Sequence, residues 1–405
     1  MNTNSPTFSI PVVLTAAPHR LLFCVGALNV LAAMSWWAWW SFHIDPTPVA
    51  GVPAGWLHGV IMQYQMLPSF MFGFLLTTFP RWMGQPELRR KHYVPVGLGM
   101  FLGQILCLVA AFTGASHALH LGVVLTILGW GYGLVVLGRM LLADRFRTWH
   151  AVSCWAGLLL GWIALVLFAA YLHDAGMSIG LLAVRMGVFA VLLPIYATVA
   201  HRMFPFFASR VVPDYQPWRP LWLLAAQWPL WLLHVGLDLA GLQQWLWLVD
   251  LPLLVLAASC VWKWWPRGPM PGLLRVLFVG YAWLPIALAL YVLQSLWLLL
   301  GGEAVLGRAP LHALAVGMFG SLLVAMVTRV TMGHSGRPLE LGRIALYAFI
   351  AMQFVALARI AAEIHGLPYL GLIQFAAVGW LIAFLPWVLH SVWIYLRPRR
   401  DGRPG

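Results

Sequence analysis

Residues 309–337 read APLHALAVGMFGSLLVAMVTRVTMGHSGR, a glycine-studded apolar stretch with His312 near its start and His334 near its end. The imidazoles are separated by about 22 residues, which at a helical rise of roughly 1.5 Å cover about 33 Å. A bilayer's hydrocarbon core is about 30 Å thick. As a helix, the stretch sets one histidine at each membrane face, with Arg329 close to the second.

The rest of the chain agrees with a membrane setting. Of 405 residues, 62% are hydrophobic and 9% charged, and the mean hydropathy is +0.85. No soluble chain of this length hides so much apolar surface, so the expected fold is an all-α polytopic membrane protein embedded in a lipid bilayer. Apolar runs of helical length fall at 20–42, 56–79, 94–113, 117–142, 150–172, 180–204, 218–239, 243–265, 271–300, 309–331, 340–364 and 368–396. About twelve transmembrane helices follow. They occupy 20–396, between a polar tail (1–19) and a basic tail (397–405). Short breaks at Gly114 and Gly241 predict two antiparallel hairpins. The first 17 residues lack a basic segment and no cleavage site follows, so the first run reads as a retained helix. Cys24, Cys107, Cys154 and Cys260 lie scattered in the runs without a CxxC pair and read as buried apolar residues.

The formal charge of +13 is a matter of topology. All of the 24 Lys and Arg residues except Arg185, Arg308 and Arg359 fall on one side of a twelve-span chain. Basic loops stay in the cytoplasm, which puts both termini there and leaves nucleic-acid binding without support. The tryptophans near predicted helix ends read as an interfacial belt.

Fourteen histidines are the unusual feature. His19, His92 and His150 fall in or beside the basic loops, and several others lie near the opposite face, where a solvated imidazole is the plain reading. His234 and His390 lie within spans and read as satisfied core histidines. Four remain. His58 and His312 start spans two and ten at the outer face. His201 ends span six at the inner face, and His334 lies just beyond the inner end of span ten. A six-coordinate haem needs two axial ligands from different helices, with small residues that admit the ring. His58 with Gly59, and His312 with Gly317 and Gly320 on one helix face, match that need; without a CxxCH motif the haem is of the b type. His58, Met62 and Met66 recur every four residues and offer borderline and soft donors to copper. At the inner face Arg202, Arg329 and Arg337 accompany His201 and His334 and suit haem propionates or another anion. Both pairs stay open as the haem site, with the outer one favoured.

Three blocks carry a family resemblance: LHGVIMQYQMLPSFMFGFLLTTFPRWMG (57–84), HRMFPFF (201–207) and LHALAVGMFGSLLVAMVTRVTMGHSGRPL (311–339). Together they resemble the NnrS family, whose H-x-L-x-V-G … R-x-x-x-G-H-[ST]-G-R-P pattern is met here by His312, Leu314, Val316, Gly317, Arg329, Gly333, His334, Ser335, Gly336, Arg337 and Pro338. The resemblance implies a haem- and copper-containing protein of the bacterial inner membrane, tied to denitrification and the response to nitric oxide, which handles haem, a diatomic ligand or a redox partner. The chain departs from the family where many members carry W-H-x-H-E-M, reading Trp56-Leu57-His58-Gly59-Val60-Ile61-Met62 instead. The second histidine and the glutamate are missing, which removes two copper donors and keeps His58. Two other functions fit the twelve-span plan: a secondary transporter, and a haem-binding accessory or sensor protein without turnover. The repeat expected of a 6+6 carrier is missing, because the His58 and His312 blocks fall in spans two and ten.

Overall fold

The computed structural model describes residues 9–45 and 47–401, so the outermost parts of both expected tails, 1–8 and 402–405, lie outside the described residues. The secondary structure is helical throughout the described residues, with no strand beyond an isolated bridge between Val49 and Val52. In chain order the long helices are α1 (Pro18–Phe42), α2 (Ala54–Trp82), α3 (Arg90–Thr113), α4 (Ser116–Ala143), α5 (Trp149–Leu172) and α6 (Met177–Ser209). They continue with α7 (Leu221–Leu239), α8 (Trp247–Trp264), α9 (Gly272–Leu299), α10 (Ala309–His334), α11 (Arg343–Ala361) and α12 (Tyr369–Tyr395). Within the first expected tail, Ile10–Leu14 forms a short helix.

Eleven of these helices are long and apolar enough to cross a membrane; α7 is not among them. It carries Gln227, His234 and Asp238, whose side chains dilute its apolar character. Gln227 and His234 are buried against protein and Asp238 is paired with Arg185, which is how an apolar bundle accommodates such groups.

The last helix closes on the first. Gln374 Nε2 donates to Ser41 O (2.9 Å), Trp380 Nε1 to Val30 O (3.2 Å) and Arg20 Nη1 to Arg397 O (2.7 Å). These bonds run the length of an antiparallel α1–α12 pair and bring the start of α1 and the end of α12 together at the arginine-rich face. Arg20 itself lies inside α1 and is buried, because that carbonyl receives its guanidinium.

Both expected hairpins form, around Gly114 (φ 74°) and Gly241 (φ 71°), where the left-handed backbone favours glycine. In the first, α3 and α4 approach backbone to backbone: a Cβ added at Gly99 would lie 2.6 Å from Gly129 Cα. Packing of this kind takes the place of the hydrophobic effect between helices in lipid. Gly129→Leu should therefore destabilise the protein by about 1–3 kcal/mol, the usual range for overpacking, as read by thermal unfolding in detergent.

Candidate functional site

Three helices depart from α-helical geometry beside one cavity. Met62–Met66 of α2, Gly187–Leu192 of α6 and Ala313–Gly320 of α10 are π-helical, with i→i+5 bonding. Two of these stretches run directly into a proline, Pro68 and Pro194, whose missing N–H removes an α-helical bond. Wide turns of this sort are frequent at functional sites. Here they surround a cavity of about 590 Å³ towards the arginine-poor end, walled by residues of α1, α2, α6, α7 and α9–α12.

Three imidazoles line it: His58 on α2, His312 on α10 and His234 on α7. His312 Nδ1 lies 2.9 Å from Arg308 O. A carbonyl only accepts, so Nδ1 carries the proton and Nε2 keeps its lone pair. The His58 ring stacks on Trp37 at 4.2 Å between ring centroids and forms no hydrogen bond among the described residues. Met62 and Met66 line the same cavity, which keeps the soft donors of the His58 stripe together.

The glycines of α10 serve another purpose than expected. A Cβ on Gly317 would lie 2.5 Å from the Trp283 ring, and one on Gly320 would lie 2.9 Å from Met352 Cε. Neither glycine lines the cavity, because neighbouring side chains fill the groove they leave. Trp283 is held there by its indole N–H, which donates to Gln353 Oε1 (2.7 Å), while Gln353 Nε2 donates to Ser321 Oγ (2.8 Å). Gly59 does face the cavity.

His234, read from sequence as a satisfied core histidine, is satisfied on one nitrogen only. Its Nδ1 lies 2.7 Å from Asp250 Oδ1, and the residue belongs to the cavity lining. The signal for it was an acid, Asp250, within the apolar run that follows Gly241.

The three basic residues of the arginine-poor side all reach this cavity. Arg185 is paired with Asp238, and Arg359 with Glu363 at 2.7 Å. Arg308 has no acidic partner among the described residues, so its guanidinium is available to an anion at the cavity wall.

At the arginine-rich end His201 and His334 each have other neighbours. His201 Nε2 lies 3.2 Å from Pro220 O and its Nδ1 2.9 Å from His150 Nε2, while Arg202 Nη1 lies 3.4 Å from His150 Nδ1. One direction satisfies all three. Arg202 donates to His150, His150 to His201, and His201 to the carbonyl. Every ring nitrogen of both histidines is then used. His334 packs instead on His19, with ring centroids 4.5 Å apart. Arg202 lies over the Trp82 ring and Arg329 over Phe207, at 4.6 and 3.9 Å from the centroids. Arg329 thus meets its need for a partner through a cation–π contact. Arg337 sits over Trp393 at the edge of a separate open groove with His390 and Arg400. Partial burial, with Arg400 and Arg397 near it, pulls the Arg337 guanidinium below its ordinary range.

His201→Ala would orphan His150 Nε2–H and the Pro220 carbonyl. The expected cost is about 1–3 kcal/mol in thermal unfolding, with no change at the arginine-poor cavity.

Among the described residues no three His, Cys, Asp or Glu side chains converge as a metal cluster. A metal at the large cavity has to be held by single imidazoles, by thioethers or by a macrocycle that brings its own donors.

Comparison with known proteins gives two findings. A family model described as NnrS protein matches residues 13–399. Among solved structures, a heme-copper terminal oxidase dimer determined by cryo-EM is similar at a TM-score of 0.46 and 14% identity, covering 97% of this chain and 85% of its own. No curated protein matches.

Proposed function

The chain belongs to the NnrS family, and on that premise we propose that it is a haem-binding protein of the bacterial inner membrane, acting in the response to nitric oxide. Haem b is assigned to the arginine-poor cavity. The carrying observation is His312, whose Nδ1–H is pinned to Arg308 O so that Nε2 offers a lone pair to a space of about 590 Å³. That volume falls in the range of cofactor pockets, roughly 300–1,000 Å³.

When bound, haem supplies an iron that takes a diatomic ligand or an electron. The protein's part is to hold and orient it. His312 supplies a nitrogen donor of fixed tautomer. Arg308 offers bidentate hydrogen bonds to a propionate. Trp37, Phe319 and Trp380 give the ring apolar and aromatic walls that keep water out. His58 with Met62 and Met66 is the donor set left for copper(I), which favours imidazole and thioether ligands. With arginine-rich loops in the cytoplasm, the cavity lies in the periplasmic half of the membrane.

The test is a reduced-minus-oxidised absorbance spectrum of the full chain in detergent. A Soret band and an alpha band that weaken in His312→Ala and persist in His334→Ala support this reading. Colourless wild-type protein sinks it in favour of a carrier.

A further inference from the structure

We propose that His234, held by Asp250, is a ligand of the iron in this cavity, supplied from a wall separate from that of His312. The inference rests on the haem reading above and adds to it a residue that neither family motif nor sequence spacing marks.

The argument begins with a carboxylate in an expensive place. Asp250 lies on α8 with 0% of its surface exposed. One oxygen accepts the His234 Nδ1–H at 2.7 Å, and the other, Oδ2, has no hydrogen-bond partner. A buried ion costs several kcal/mol even after relaxation unless charge and hydrogen bonds compensate it. A neutral imidazole satisfies one lone pair and leaves the charge standing. The nearby guanidinium on the cavity wall, Arg185, is already taken by Asp238. The remaining place for a positive charge is the far nitrogen of His234, a residue of the cavity lining.

The geometry there is built. Because Asp250 accepts at Nδ1, the imidazole is the tautomer with its lone pair on Nε2, and that atom has no partner among the described residues. The ring cannot turn freely. Phe189, from the π-helical stretch of α6, stacks on it at 3.5 Å and 13°, and Tyr291 of α9 meets it edge-on at 5.1 Å. A carboxylate behind a histidine is the recurrent way of fixing a metal-binding imidazole and raising its basicity. His312 and His234 stand on different helices, α10 and α7, and each would supply one imidazole to the iron. In this arrangement His58 stays with the thioethers of Met62 and Met66.

The experiment compares wild type, His234→Ala and Asp250→Asn, each as full-length protein with whatever haem it retains. The readouts are haem per chain, the low-spin absorbance and EPR signature, and the midpoint potential. If His234 is a ligand, His234→Ala loses the low-spin signature, and added imidazole restores it. Asp250→Asn keeps the haem and shifts the potential upward, because the negative charge favouring the oxidised iron is gone. Wild-type haem content and spin state in His234→Ala overturn the proposal while leaving the haem reading intact. An unchanged potential in a haem-loaded Asp250→Asn does the same, and that measurement decides if His234→Ala fails to fold. Wild-type protein without haem overturns both.

Discussion

His312→Ala is expected to purify with roughly tenfold less haem per chain, or less still, since even an outer partner of a metal ligand is worth about 10- to 100-fold. The fold should survive, because the bond lost, Nδ1–H to Arg308 O within one helical turn, is local and exposed. Thermal unfolding of the haem-free fractions should therefore agree with wild type within about 1 kcal/mol. His334→Ala makes the sharpest control. His334 sits at the other end of the same helix, in the same family pattern, and packs on His19 away from the cavity. Equal haem loss in both variants would mean that α10 is simply sensitive to substitution, and would remove the argument for His312.

The fold was largely legible because its determinants are local. Each apolar run is long enough to satisfy its own backbone in lipid, and helices are the only open way to do so. Gly114 and Gly241 announced their hairpins, and the arginine count put both chain ends at one face, where Arg20 reaches Arg397. The π-helical stretches were not legible. One extra residue in a turn hardly alters apolar periodicity, and whether it persists depends on neighbours such as Gly187, where a Cβ would lie 2.0 Å from Gln63 Oε1.

The site was half legible, for a related reason. His58, Met62 and His312 stand in the sequence beside small residues and at helix starts, and they do share one cavity. Gly317 and Gly320 look from sequence like room for a ring, but a glycine says only that something comes close, and here it is Trp283 and Met352. Both ring nitrogens of His201 are engaged, by His150 and by the Pro220 carbonyl, which its place at a helix end did not reveal. His234 and Asp250 stand at comparable distances on either side of the Gly241 turn, so the hairpin that was foreseen is what brings them together. The three basic residues that break the charge asymmetry, Arg185, Arg308 and Arg359, were the clearest overlooked signal. A cation on the side that topology leaves nearly bare of them has a local reason to be there.

Of those three, Arg359 should give the largest loss of stability. Its side chain is 10% exposed and that of Glu363 11%, and the two meet at 2.7 Å one helical turn apart. Glu363 is further enclosed by the backbone of Gly307, at φ +44°, where a Cβ would lie 2.3 Å from its carboxylate. Arg359→Gln leaves that carboxylate buried and without its cation, a change that costs about 3–5 kcal/mol when an enclosed pair is broken on one side. Removing both charges should cost much less, because the penalty lies in the unpaired ion and not in the absence of the pair. Thermal or denaturant unfolding of Arg359→Gln, Glu363→Gln and the double variant closes the cycle. The expected order is wild type, then the double variant, then Arg359→Gln. A double variant as unstable as the sum of the singles would show that Arg359 supports the cavity wall by its bulk and not by holding Glu363. Arg308→Gln supplies the contrast: with no acid to abandon, it should leave stability within about 0.5 kcal/mol while lowering haem retention.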